Sequence, residues 1–259
     1  MKDEANEDGY LAFVGFYDEW VKDVTGDVEF YVRRAGESDG PMVELGVGTG
    51  RIAIPTALTG KQVLGVDVSA AMLAEGRKRA ADAGVADRMT FLEADMRVHV
   101  ADPPVTLVTI PYRSFLHMLT VEDQLACLES VRRSLVPGGR FILNLFVPDP
   151  SLVVAQDRRR NLHSEYTDAR GLRCELWVSP EYEVTTQRIA IRASVEAYEG
   201  ERLVETTETA LTVRMVYRYE MEHLLARSGF EVEALYGDFD ERLLTEDCRE
   251  MIWVARRAG

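Results

Sequence analysis

The sequence predicts an α/β protein. An open, mostly parallel sheet alternates with helices and is interrupted late in the chain by an inserted antiparallel β-sheet. Three observations predict this. An apolar strand near residues 42–45 runs into a glycine turn and then a helix. Further apolar runs follow at 62–67, 90–96, 105–110 and 141–147, with helical patterns such as 122–135 between them. After Asp149-Pro150 the helical signal fades, and long runs rich in Val, Ile, Thr and Tyr occupy 172–179, 184–198 and 203–217.

The turn is the organising element. Residues 43–50 read Val-Glu-Leu-Gly-Val-Gly-Thr-Gly after the turn signal Gly40-Pro41, and Ile52-Ala53-Ile54 opens a helix. Glycine suits a backbone that passes close to a ligand, since it carries no Cβ. Amides at a helix start are free to face that ligand. A dinucleotide fingerprint needs Gly-x-Gly-x-x-Gly. Here position 51 is Arg and the third glycine comes one place early, at Gly50, which disfavours a nicotinamide oxidoreductase. The second run ends in Asp67, about 20 residues past Gly46, where a carboxylate can accept both hydroxyls of a ribose. Ser69 is placed to cap the next helix. The third run ends in Asp95.

Gly46-x-Gly48-x-Gly50 behind Glu44, followed by Asp67 and Asp95 and by Leu-x-Pro-Gly-Gly-Arg at 135–140, resembles the class I S-adenosylmethionine (SAM) methyltransferases. The resemblance covers about 17–148 and 217–257. It implies a Rossmann-like sheet of seven strands, mostly parallel with the last antiparallel. It implies SAM as cofactor and S-adenosylhomocysteine as product. In that family the turn, here Gly46, Val47, Gly48 and Gly50, cradles the methionine part. Glu44 corresponds to an acid near the SAM amino group. Arg51 either reaches the methionine carboxylate or is an ordinary helix residue. Asp67, with Val68 and Met72 beyond it, corresponds to the ribose side. Asp95 corresponds to the acceptor of the adenine amino group, and Met96 to a contact on the ring. Tyr17 and Tyr31 match tyrosines of an N-terminal lid, against the plainer reading of core packing.

Composition narrows the function further. The chain has 259 residues, a formal net charge of −14 and three cysteines, Cys127, Cys174 and Cys248, without a CxxC. Nucleic acid needs a basic footprint, so it is an unsuitable partner. The cysteines suggest a reduced compartment and no structural metal; His99 and His223 lack clustered ligands. Residues 1–8 are acidic, with no signal core behind them, and no run approaches membrane-spanning length. A cytoplasmic protein is expected.

Residues 10–35 carry aromatics at helical spacing, with Gly26-Asp27 between two helices. The run 105–110 suits a central parallel strand and ends in Pro111-Tyr112-Arg113-Ser114-Phe115-Leu116-His117. That loop would lie beside the glycine turn, at the point where open α/β sheets bind ligands. His117 is the candidate general base, or else a histidine bonded at a helix start. Tyr112 is the second catalytic candidate. Pro111 is assigned to the cofactor, and Arg113 and Ser114 to the substrate. His163 and Tyr166 begin the insertion and are further substrate candidates. The boundaries expected are 1–150 for lid helices and cofactor core, 151–217 for the inserted sheet and 218–259 for completion of the core sheet.

Ser114-x-x-His117 and the inserted sheet also resemble bacterial small-molecule methyltransferases, including amino-sugar N,N-dimethyltransferases. The expected reaction is SN2 methyl transfer to a nitrogen or oxygen of a small molecule. The alternative is a SAM-binding regulator without catalysis. The insertion is expected to cover the pocket with one face; its other face meets a second subunit, or the chain stays a monomer.

Overall fold

The computed structural model describes Phe13–Gly259. The expected absence of a signal and the start of the aromatic stripe at Tyr10 fall outside the described residues. The chain divides into two compact units. One joins Thr25–Pro148 to Val216–Gly259; the other joins the described residues up to Val24 to Asp149–Met215. The division expected from sequence kept all of 1–150 together, whereas contacts group the described residues before Thr25 with the insertion.

The larger unit is built on a seven-stranded sheet in the order β10-β11-β5-β4-β1-β2-β3. Its strands are β1 (Met42–Leu45), β2 (Val63–Asp67), β3 (Met89–Glu93), β4 (Val105–Ile110), β5 (Leu135–Phe146), β10 (Phe230–Tyr236) and β11 (Glu250–Arg257). β3, β2, β1, β4 and β5 run parallel, and β11 runs antiparallel to both β5 and β10. This is the mostly parallel Rossmann-like sheet with an antiparallel last strand. β1 and β4 are the centre, and their side chains are buried or nearly so, as strands covered on both faces require. Trp253, Phe30, Phe115 and Phe141 are among the largest fully buried side chains. Each contributes on the order of 1.5–3 kcal/mol of transfer free energy.

The helices of this unit are α2 (Asp27–Gly36), α3 (Ala53–Leu58), α4 (Ala70–Asp82), α5 (Val121–Ser134) and α7 (Arg218–Arg227). Local chemistry sets their starts. Ser69 Oγ accepts from the Met72 amide at 3.3 Å, which caps α4 as its sequence predicts. Thr120 Oγ1 accepts from the Asp123 amide at 3.1 Å and caps α5. Gly26, at φ 82°, turns the chain into α2. The Pro137-Gly138-Gly139 turn lies inside β5, as an irregularity between its pairings with Val105 and Leu107.

The smaller unit contains α1 (Tyr17–Trp20), α6 (Pro150–Gln156) and a four-stranded antiparallel sheet. Its strands are β6 (Asn161–Thr167), β7 (Arg173–Glu183), β8 (Arg188–Glu199) and β9 (Arg202–Arg214). Sequence reasoning missed β6, which has only Leu162 and Tyr166 as apolar residues and a register shift between Leu162 and Ser164. It also ran Val184 into a strand, where the chain instead turns through Gln187 at φ 57°. Cys174, Leu176, Ala193, Val195, Ala197 and Val213 share one buried face. Trp177 and Tyr198 lie on the opposite face, under the guanidiniums of Arg160 and Arg173 at 4.2 and 4.4 Å from the ring centroids.

Gly65 in β2 shows how tightly the larger unit is closed. A Cβ there would lie 2.7 Å from Val47 Cγ2 and 3.0 Å from Val47 Cβ. Gly65→Ala is expected to lower stability by about 1–3 kcal/mol in urea melts, as overpacking does. Adding Val47→Ala should recover part of the loss. No loss in the single variant would mean that the turn has slack at this point.

Candidate cofactor and active site

The turn between β1 and α3 is fixed from below. The amides of Gly46 and Val47 both donate to the Val66 carbonyl, at 2.8 and 3.1 Å. Gly46, Gly48 and Gly50 take φ values of 70°, 53° and 82°, which side chains with a Cβ rarely adopt. A Cβ on Gly46 would sit 2.7 Å from Ser114 Cβ, with Met96 Cε at 3.5 Å. The turn therefore meets both the loop after β3 and the loop after β4. Val47 itself is 3% exposed and packs against β2. Met72 is buried too, in the first turn of α4.

Asp67 closes the turn on the other side. Its Oδ2 accepts from the Gly48 amide at 2.8 Å and its Oδ1 from the Ser69 amide at 2.9 Å. Burial pushes this carboxyl up, while bonds from the Ser69, Gly48 and Val68 amides pull it down. Val68, the next residue, presents an exposed apolar side chain. Asp95 follows β3. Its carboxylate is gripped by Arg97, a partner that sequence reasoning did not weigh.

Beneath the turn lies a group of buried charges. Glu44 is 2% exposed, and its Oε2 has no hydrogen-bond partner among the described residues. The same holds for the hydroxyls of Thr49 and of Thr109, the residue beside Glu44 on β4. Burial pushes the Glu44 carboxyl up to about 8; Arg51 and the Ala53 amide pull the other way. Arg51 grips buried Asp27 with both terminal nitrogens, one bond measuring 3.1 Å. Its expected freedom to reach a ligand carboxylate is thus corrected: the fork is already matched. Tyr31, expected near the cofactor, is 1% exposed and donates its hydroxyl to Asn144 Oδ1 at 2.9 Å. The core-packing alternative describes it. Burial, with Asp27, Glu250 and Glu44 nearby, raises its phenol well above the usual range.

The loop after β4 is held by the same group. The Tyr112 amide donates to Asn144 Oδ1 at 2.8 Å, and Asn144 Nδ2 donates to Glu250 Oε2 at 2.9 Å. Arg113 Nε donates to Glu250 Oε1 at 2.9 Å. The substrate role expected for Arg113 is thereby corrected to an anchor on a buried carboxylate. Tyr112 and Arg113 take φ values of 49° and 66° in succession. Left-handed non-glycine residues cost on the order of 1–3 kcal/mol each and persist where surroundings over-determine them. The Tyr112 ring lies under the guanidiniums of Arg51 and Arg113, at 5.1 and 5.8 Å. Pro111 is buried. Ser114 Oγ donates to the Pro111 carbonyl at 3.0 Å, and half-buried His117 ends the short helical turn Ser114–His117.

Tyr17, His163 and Tyr166 belong to the smaller unit. There His163 stacks on Trp20 at 5.5 Å and its Nε2 lies 3.2 Å from the Trp20 carbonyl. Tyr17 packs on Phe13, and burial pushes the Tyr166 phenol up to about 12. Sequence reasoning missed Asp27, Arg97, Asn144 and Glu250. Only Asn144 had a local signal, as one amide within the apolar run Phe-Ile-Leu-Asn-Leu-Phe. Among the described residues no group of three or more His, Cys, Asp or Glu is placed to hold a metal ion. No helix among them is long and apolar enough to cross a membrane.

Glu44 makes stability depend on pH. Its folded carboxyl titrates at about 8 against an ordinary 4.5, so the folded state holds an extra proton between those values. The contribution is fully present below 4.5 and is lost as pH rises through about 8. Glu44→Gln should reduce the fall in unfolding free energy between about pH 5 and pH 8 by about 2 kcal/mol or more. Identical falls in urea melts of both proteins would refute this.

Residues 42–139 match the family described as "Methyltransferase domain". An uncharacterized methyltransferase of Geobacillus kaustophilus is 31% identical over 136 residues, which are 52% of this chain and 60% of that one. The match thus spans only about three fifths of that relative. The structure of the CcbJ methyltransferase from Streptomyces caelestis superposes with a TM-score of 0.83 at 23% identity, over 97% of this chain and 98% of that one. SAM-bound CalS10, an amino pentose methyltransferase from Micromonospora echinaspora, does so at 0.71 and 18%, over 95% and 96%. At these identities the superpositions speak for the fold. The methyltransferase-domain match covers the strands around the glycine turn, and the sheet and insertion share the fold of these solved methyltransferases.

Proposed function

We propose that the chain moves a methyl group from SAM to a nitrogen or oxygen nucleophile of a small molecule. The observation that carries this is the turn at 46–50, where Gly46 and Gly50 leave no room for a Cβ, flanked by Asp67 at the end of β2 and Asp95 just after β3. The residues fit the cofactor: the turn leaves its backbone open, Glu44 has an orphaned buried oxygen, and Asp67 keeps acceptor positions beyond its amide bonds. The cofactor supplies an electrophilic methyl group, so the protein need not activate it.

The chain's own work is to orient. Asp67 takes the two ribose hydroxyls, Asp95 the adenine amino group, and Glu44 stands for the acid near the amino end. Holding both reactants in near-attack geometry is worth up to roughly 7–11 kcal/mol. His117, with Tyr112 as second candidate, takes the acceptor's proton; such a base is worth roughly 10²–10⁴-fold. An amine acceptor is supported by the superposition on an amino pentose methyltransferase. We assign acceptor choice to the insertion, and a cytoplasmic location from the acidic composition and the three free cysteines.

Calorimetry is the direct test: SAM and S-adenosylhomocysteine should both bind, and absence of either at millimolar concentration refutes the reading. Methyl release to a panel of amines and alcohols, including amino sugars, distinguishes an enzyme from a SAM-binding regulator. Asp67→Ala should weaken SAM binding by about 1.5–3 kcal/mol, the size of hydrogen bonds to a charged group, and Asp95→Ala by less. Equal, negligible effects would remove both carboxylates from the site.

A homodimer through the insertion is part of the same proposal, supported by exposed Leu162, Leu203 and Val204 on its strands. Light scattering at tens of micromolar should give twice the chain mass; a clean monomer rules it out.

A further inference from the structure

Asp95 is not an isolated acceptor. Arg97 Nη2 donates to Asp95 Oδ2 at 2.6 Å, and Arg97 Nε lies 2.9 Å from Oδ2 and 3.1 Å from Oδ1. The Arg97 amide donates to Oδ1 at 2.8 Å. The far nitrogen, Nη1, donates to Asp123 Oδ1 at 2.6 Å. Asp123 stands in the first turn of α5, where Thr120 Oγ1 donates to its Oδ2 at 2.9 Å. One guanidinium thus ties the loop after β3 to the start of α5.

This network has little to do with stability. Arg97, Asp95 and Asp123 are 43%, 30% and 27% exposed at their side chains, and pairs so exposed add little. What the network fixes is direction. An ionised carboxylate offers about four acceptor positions. The Arg97 amide, Nε and Nη2 supply three donors, with Nε shared between the oxygens. The shared Nε bond is the longer on Oδ1, at 3.1 Å against 2.9 Å on Oδ2, so Oδ1 is where about one further hydrogen finds room. That suits a single amino hydrogen and not a pair of hydroxyls. Partial burial works against the Asp95 charge, yet the Arg97 side chain and amide outweigh it and hold the carboxyl below its usual range.

We infer that Arg97 is the positioning residue of the adenine subsite, holding the Asp95 carboxylate with one acceptor position left for the 6-amino group and anchored through Asp123 to α5. This rests on the reading of Asp95 as the adenine acceptor, and the test separates the two.

The experiment compares calorimetric Kd values for S-adenosylhomocysteine and its 6-deamino analogue, which carries purine in place of adenine. The unaltered protein should prefer the amino ligand about tenfold, the size of one hydrogen bond to a charged group. Asp95→Ala should erase that preference. Arg97→Ala should cut it about threefold or more, with the Kd of the deamino ligand and the melting temperature nearly unchanged. Arg97→Lys should recover part of the preference, and Asp123→Ala should fall between. A merely structural Arg97 would weaken both ligands alike, and an Arg97 that competes for Asp95 would tighten the amino ligand when removed. Either result, or no effect of Arg97→Ala while Asp95→Ala acts, overturns the inference. If Asp95→Ala leaves the preference intact, the reading of Asp95 fails and the inference falls with it. Arg97→Gln is the substitute should the alanine variant not fold.

Discussion

The turn at 46–50 crosses its neighbours at distances with no room for a β-carbon, and the rest of the site takes its shape from that approach. One side is closed by Ser114 and Met96 against Gly46, and the floor by Val47 against Gly65. Asp67 then ties the turn to β2 through the Gly48 amide. The left-handed glycines follow from the same constraint. Glycine adopts those φ values without the steric cost that a side chain would add.

Close approach has an electrostatic consequence. Side chains under the turn are out of water, so each charge there needs a partner or must be neutral. Arg51 has Asp27, Arg113 has Glu250, and Asn144 joins Tyr31, Tyr112 and Glu250. Glu44 is the exception, since Arg51 does not overcome its burial. A buried ion pair is weak evidence of stability, because desolvation offsets much of the attraction. Here the pairs have a geometric effect: they hold Tyr112 and Arg113 in consecutive left-handed conformations beside the turn. The smaller unit manages its aromatics differently. Trp177 and Tyr198 lie on the charged face of the sheet, covered by arginines instead of a core.

The sequence by itself determined the order of elements in the larger unit. β1, β2 and β4 and the helices after them were legible because their signals are local: apolar runs, a glycine turn, Ser69 as a cap, β-branched residues at 105–110. Asp67 was legible for the same reason, marking the end of β2, and Asp95 by the run before it, although β3 stops two residues earlier at Glu93. Three of the four strands of the insertion could be read from their alternation. β6 could not, because its two apolar residues, Leu162 and Tyr166, are too few to mark a face and a register shift interrupts its alternation.

Tertiary structure alone decided what the charged residues do. Arg51 and Arg113 look in sequence like arms available to a ligand, and their partners lie 24 and 137 residues away. Glu44 reads as an ordinary acid until β4, α2 and the turn close around it. Tyr31 reads either as a lid tyrosine or as core packing until its hydroxyl meets Asn144, 113 residues on. Hydrogen bonds and desolvation depend on which distant groups arrive within about 3 Å, and no local pattern encodes that. Periodicity and turn chemistry are properties of neighbours in the chain, so the sequence carries them; charge pairing is a property of neighbours in space.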